Sequence, residues 1–108
     1  MIKSMSVIKF ATKDTMSLAQ DAYDIITSDK KNETLASVYA SAALAKCGLA
    51  ESIYYSKFED SNDELESFFY HLHAFVEELL SNVKENHSHQ WSLIGFDRLK
   101  QKYDVLGF

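Results

Sequence analysis

The sequence predicts an all-α fold, a small antiparallel four-helix bundle, and three observations predict it. Leu65, Phe68, Phe69, Leu72, Phe75, Val76, Leu79, Leu80 and Val83 recur at i, i+3, i+4 and i+7, which on a 3.6-residue helix makes one continuous apolar stripe. The 108 residues include no proline and three glycines, so little breaks a helix and few hairpin turns are signalled. Hydrophobic residues make up 46% of the chain and aromatics 13%, which argues against disorder and for a buried core. At about 1.5–3 kcal/mol per large apolar side chain, a stripe left in water would be prohibitive, so it must pack on other helices.

The length predicts a single helical domain over residues 1–108. Residues 1–11 read as a tail or lead-in, because Val7, Ile8 and Phe10 favour a strand locally and no second strand-like run exists to pair with. The first helix is expected at about 12–27, started by Thr12 or Asp14, with Leu18, Ala19, Ala22, Tyr23, Ile25 and Ile26 on its apolar face. A polar connector, Ser28 to Asn32, follows, and Asn32 is placed to cap the next helix.

The second helix, about 33–58, is apolar nearly all round. Ala36, Ala40, Ala43, Cys47 and Ala50 form a small-residue ridge that lets another helix approach closely, and Leu35, Val38, Ala42, Ala45, Leu49 and Ile53 form the opposite ridge. Burial on both sides would put this helix, with the third, at the centre of the bundle. The run from Ala43 through Gly48 to Tyr54-Tyr55 resembles the turn region of a tetratricopeptide repeat, which would imply two helices meeting at Gly48. The run covers 13 of the 108 residues, about an eighth of the chain, without the second copy that a repeat array needs. The apolar spacing instead passes through Gly48 in register and predicts one helix.

The third helix, about 62–85, is headed by Ser61-Asn62-Asp63-Glu64, which fits a capping box. After the connector Asn86 to Gln90, a fourth helix is expected at about 91–104, with Phe96, Leu99, Tyr103 and Leu106 at helical spacing.

The net charge of −5 is unevenly placed. Residues 51–85 hold nine acidic side chains against Lys57 and Lys84, a local charge of −7. Direct nucleic-acid binding needs clustered Lys and Arg and is not expected; a basic protein surface is the better match. No apolar run is long enough to span a bilayer, and the N-terminus lacks a secretory h-region, so a cytoplasmic protein is expected.

Chemistry-bearing motifs are sparse. His71 and His73 lie about 200° apart around a helix and cannot share an ion. His73 reads as an exposed pair with Glu77, Cys47 as a small buried hydrophobe, and His87 and His89 as part of a solvated connector. Asp60, Asn62 and Glu64 fail as a calcium loop, because Leu65 stands where glycine is required. No phosphate loop, nucleophile elbow or paired-cysteine motif occurs. No catalytic residue, metal ligand or cofactor is therefore assigned.

By elimination the sequence predicts a non-catalytic acidic protein that binds another protein, as an adaptor, inhibitor or immunity-type factor. The candidate contact residues are the acidic Glu59, Asp60, Asp63, Glu64 and Glu66 and the aromatic Trp91, Phe96 and Tyr103. The two-sided second helix predicts a homodimer. One alternative is a nucleic-acid mimic that blocks a basic groove of a DNA- or RNA-handling protein; a weaker one is a metal-dependent enzyme.

Overall fold

The computed structural model describes residues 2–57 and 61–108, with side chains from Ser4 onward. Among these residues the chain forms four helices and no strand: α1 (Ile2–Ile26), α2 (Glu33–Lys57), α3 (Asp63–Lys84) and α4 (Gln90–Leu106). Cross-contacts set their directions. Asp14 midway along α1 meets Lys46 midway along α2, Tyr54 late in α2 bonds Glu66 early in α3, and Tyr23 late in α1 stacks on Phe96 in the first half of α4. The result is an up-down-up-down bundle of 44 × 21 × 19 Å.

α1 begins far earlier than the expected start near residue 12, and residues 2–11 are helix, not a tail. Ile8, Ala11, Thr12, Thr15, Met16, Ala19, Ala22 and Ile26 are buried at three- and four-residue spacings, a seam that runs from the first turns to the last. Thr12 and Thr15 hid this seam, because both are polar and Thr12 reads as a cap. Thr15 donates to the Ala11 carbonyl at 2.7 Å, so it enters the core without leaving its hydroxyl unpaired. Packing of Ile8 overrides the local strand preference of Val7 and Ile8, while Phe10 stays exposed.

α2 passes through Gly48 unbroken, so the turn implied by the repeat resemblance is absent. Asn32 caps it as expected, its Oδ1 accepting from the Leu35 N–H at 2.9 Å. The small ridge is fully buried at Ala36, Ala40, Ala43, Cys47 and Ala50. The opposite ridge is not: Leu35, Val38 and Leu49 are exposed, which corrects the reading of α2 as central. Each helix packs on two neighbours, α1 with α2 and α3 with α4 most extensively, and α2 with α3. A square arrangement of this kind leaves every helix one outward side.

Asn62, not Ser61, caps α3: its Oδ1 accepts from the Leu65 N–H at 3.0 Å, so the Ser61/Glu64 capping box does not form. The far end closes with Asn86 in the left-handed region (φ 57°), the Asn86 N–H bonding the Val83 carbonyl and the His87 N–H the Asn82 carbonyl. α4 ends similarly at Gly107, φ 69°. Phe68, Phe75, Leu65, Leu72 and Leu79 of α3 fill the core with Ile8, Ile26 and Leu99 from α1 and α4. One buried polar bond, Asn82 Nδ2 to Ser92 Oγ at 2.8 Å, fixes α3 against α4.

Candidate functional site

Of the contact residues expected from sequence, Glu59 and Asp60 lie outside the described residues. Asp63 and Glu64 stand exposed in the first turn of α3, where the helix dipole favours them. Glu66 is engaged: its Oε2 accepts from the Tyr54 hydroxyl at 2.6 Å, and that hydroxyl also accepts the Asn62 N–H at 2.6 Å. Burial first, and the Glu66 bond second, hold the Tyr54 phenol above its ordinary value of 10.0.

The three aromatics separate. Phe96 is core, stacked on Tyr23 at 4.2 Å and edge-on to Phe75 at 5.5 Å. Tyr103 leans on Phe68 at 5.9 Å and is partly buried. Trp91 remains on the surface, 62% exposed. Helical spacing identifies all three as apolar but cannot say which faces a neighbour and which faces water.

Trp91 lines a cavity of about 180 Å³ between α3 and α4, with Tyr70, Ala74, Glu78, Ile94 and Arg98. Tyr70, 70% exposed, escaped notice because it lies off the apolar stripe. A second cavity, about 240 Å³, is lined by Asp63, Glu64, Ser67, Lys102 and Val105. On α3 these linings follow one another at helical spacing, Asp63, Ser67, Tyr70, Ala74 and Glu78, and on α4 so do Trp91, Ile94, Arg98, Lys102 and Val105. The two cavities are therefore successive stretches of one solvent-facing groove. Its α3 wall carries Asp63, Glu64 and Glu78, and its α4 wall Arg98 and Lys102. Gly95 also lines the first cavity, and a Cβ added there would stand 3.7 Å from Phe75 Cα, so α4 lies close on α3 at this point.

On the other side of α3, His73 reaches α2. Its Nε2 lies 2.7 Å from Glu51 Oε1, and the same oxygen accepts from Cys47 Sγ at 3.0 Å. This corrects the expected pairing of His73 with Glu77. Cys47 is buried, as expected, but it is not a bare hydrophobe: desolvation, then the Glu51 carboxylate, push its thiol far above the ordinary range. Cys47 and Glu51 stand four residues apart, so their adjacency was legible in the sequence; that His73 joins them, 22 positions on from Glu51, was not.

A parallel tie joins His89 to Glu33, Nε2 to Oε1 at 2.8 Å. His89 is buried, although the sequence placed it in a solvated connector. Among the described residues no helix is long and apolar enough to cross a membrane. Comparisons with protein-family models, curated proteins and solved structures return no significant match.

Proposed function

We propose that the protein is a non-catalytic binding module that receives a helical segment of a protein partner in the α3/α4 groove. The observation that carries this reading is the pair Tyr70 and Trp91, large aromatics exposed on opposite walls of one cavity. Tyr, Trp and Arg are the side chains that most often dominate contact energy, and Arg98 lies beside them. An amphipathic helix fits such a groove with anchors at i, i+3, i+4 and i+7. Its basic flank meets Asp63, Glu64 and Glu78, and its acidic flank meets Arg98 and Lys102. Opposite charge on the two walls favours one orientation of the bound helix.

The test is capture of partners from the native host by the wild-type chain and by Tyr70→Ala/Trp91→Ala. Loss of a partner from the double variant alone supports the groove. Full retention of every partner overturns it.

Self-association has its own support in the outer ridge of α2, where Leu35, Val38 and Leu49 stand in a row at the surface. Light scattering on the wild type and on Val38→Ser tests it: a dimer lost in the variant agrees, and a wild-type monomer at high micromolar concentration overturns it.

A further inference from the structure

The cluster between α2 and α3 combines a thiol, a carboxylate and an imidazole. Cys47 Sγ, Glu51 Oε1 and His73 Nε2 all lie within 4.8 Å of one another. Two helices position them. Cys47 and Glu51, at i and i+4, share one face of α2, and α3 packs antiparallel on that face and brings in His73. Cys47 is fully buried at the base, whereas the side chains of Glu51 and His73 are 23% and 42% exposed, so the cluster is closed on one side and open to solvent on the other.

We propose that this cluster binds one divalent transition-metal ion of the zinc class, with Cys47, Glu51 and His73 as protein ligands and the outward position left to water. The donor set carries the choice of metal. Sulfur, imidazole nitrogen and carboxylate oxygen together suit zinc, whereas magnesium and calcium sites are built from oxygen. Charge agrees: thiolate and carboxylate with a neutral imidazole balance a 2+ ion. With no cation, burial first and Glu51 second hold the thiol protonated; a bound ion offsets both, and the thiol proton is released to solvent as the S–metal bond forms.

The spacing is close to what an ion needs. Tetrahedral ligands at zinc distances lie roughly 3.3–3.7 Å apart. Glu51 Oε1 now sits 3.0 Å from Cys47 Sγ and 2.7 Å from His73 Nε2, hydrogen-bond separations. Room for the ion requires the Glu51 carboxylate, which already touches solvent, to swing outward, and Cys47 Sγ and His73 Nε2, now within 4.8 Å of each other, to settle at about 3.5 Å. His73 and the groove residue His71 leave α3 in different directions, so this site is independent of the partner groove.

Cobalt(II) is the probe, because a thiolate–cobalt bond produces a near-ultraviolet charge-transfer band. Titration of the metal-free chain is expected to give that band at one ion per chain, with release of one proton, a higher Tm and full displacement by zinc. Cys47→Ala removes the band and leaves the fold intact, since alanine already occupies the neighbouring positions of the same ridge. His73→Ala weakens binding by at least about tenfold. A chain that gives no band at millimolar cobalt, or one whose cobalt and zinc binding is the same in Cys47→Ala as in the wild type, overturns the proposal.

Discussion

His89 Nε2 donates to Glu33 Oε1 at 2.8 Å, joining the first turn of α4 to the first turn of α2 across 56 positions of sequence. A carboxylate can only accept, which assigns the proton to Nε2. With His73 and Glu51 making the same kind of bond farther along, and Tyr54 bonding Glu66 at its end, α2 is fastened to the α3–α4 half along its length. The two hairpins are thus held in register by polar bonds as well as by the apolar seam.

Truncating the His89 tie should cost stability on both sides unequally. His89 is almost wholly buried, so His89→Ala loses the bond and opens a void, about 2–3 kcal/mol. Glu33 is one-third exposed and water can replace part of its bond, so Glu33→Ala costs about 1 kcal/mol. Urea denaturation of the two single variants and the double variant measures this, and the double is expected to fall short of the sum.

Tyr54 links the end of α2 to the cap of α3. Tyr54→Phe is expected to cost about 1–2 kcal/mol, because the Asn62 N–H and Glu66 both lose their partner. It also changes the alkaline limb. The folded-state phenol titrates above 10.0, so its contribution is complete below that value and is lost as pH rises through the folded-state pKa. Wild-type stability should therefore fall from about pH 10 upward, and in Tyr54→Phe the fall should be shallower.

The glycines divide by backbone geometry. Gly48 lies inside α2 with nothing within 4 Å of an added Cβ, so Gly48→Ala should stabilise the protein by up to about 1 kcal/mol. Gly107 holds φ at 69°, where a side chain is strained, and Gly107→Ala should destabilise by about 1 kcal/mol. Thermal unfolding of both variants separates the signs.

Surface and core aromatics should part company in the same assay. Phe96→Ala removes a ring stacked on Tyr23 and packed on Phe75, a loss of about 3–5 kcal/mol. Trp91→Ala should change stability by less than about 0.5 kcal/mol while weakening partner capture. A large stability loss in Trp91→Ala would mean that the indole serves the fold.

In the metal-free protein the Cys47 thiol should resist iodoacetamide at neutral pH, since burial and Glu51 both oppose the thiolate. Reaction should become rapid in denaturant. Native-state alkylation as fast as that of the unfolded chain would contradict the buried placement.

Helix class, helix number and the apolar face of α3 follow from the sequence alone, because period and stripe are properties of one segment and need no partner. The Asn32 cap and the buried alanine ridge of α2 are legible for the same reason. The early start of α1 is not, since Thr12 and Thr15 interrupt its apolar pattern and only burial against the other helices shows that they belong to the seam. Likewise Leu35 and Val38 carry the same hydrophobicity as buried residues and face water only because no helix lies on that side. The Cys47–Glu51–His73 cluster, the His89–Glu33 tie and the groove between Tyr70 and Trp91 exist only once helices are docked. Each joins positions on different helices, and the distance between two helices is decided by how all four faces pack together.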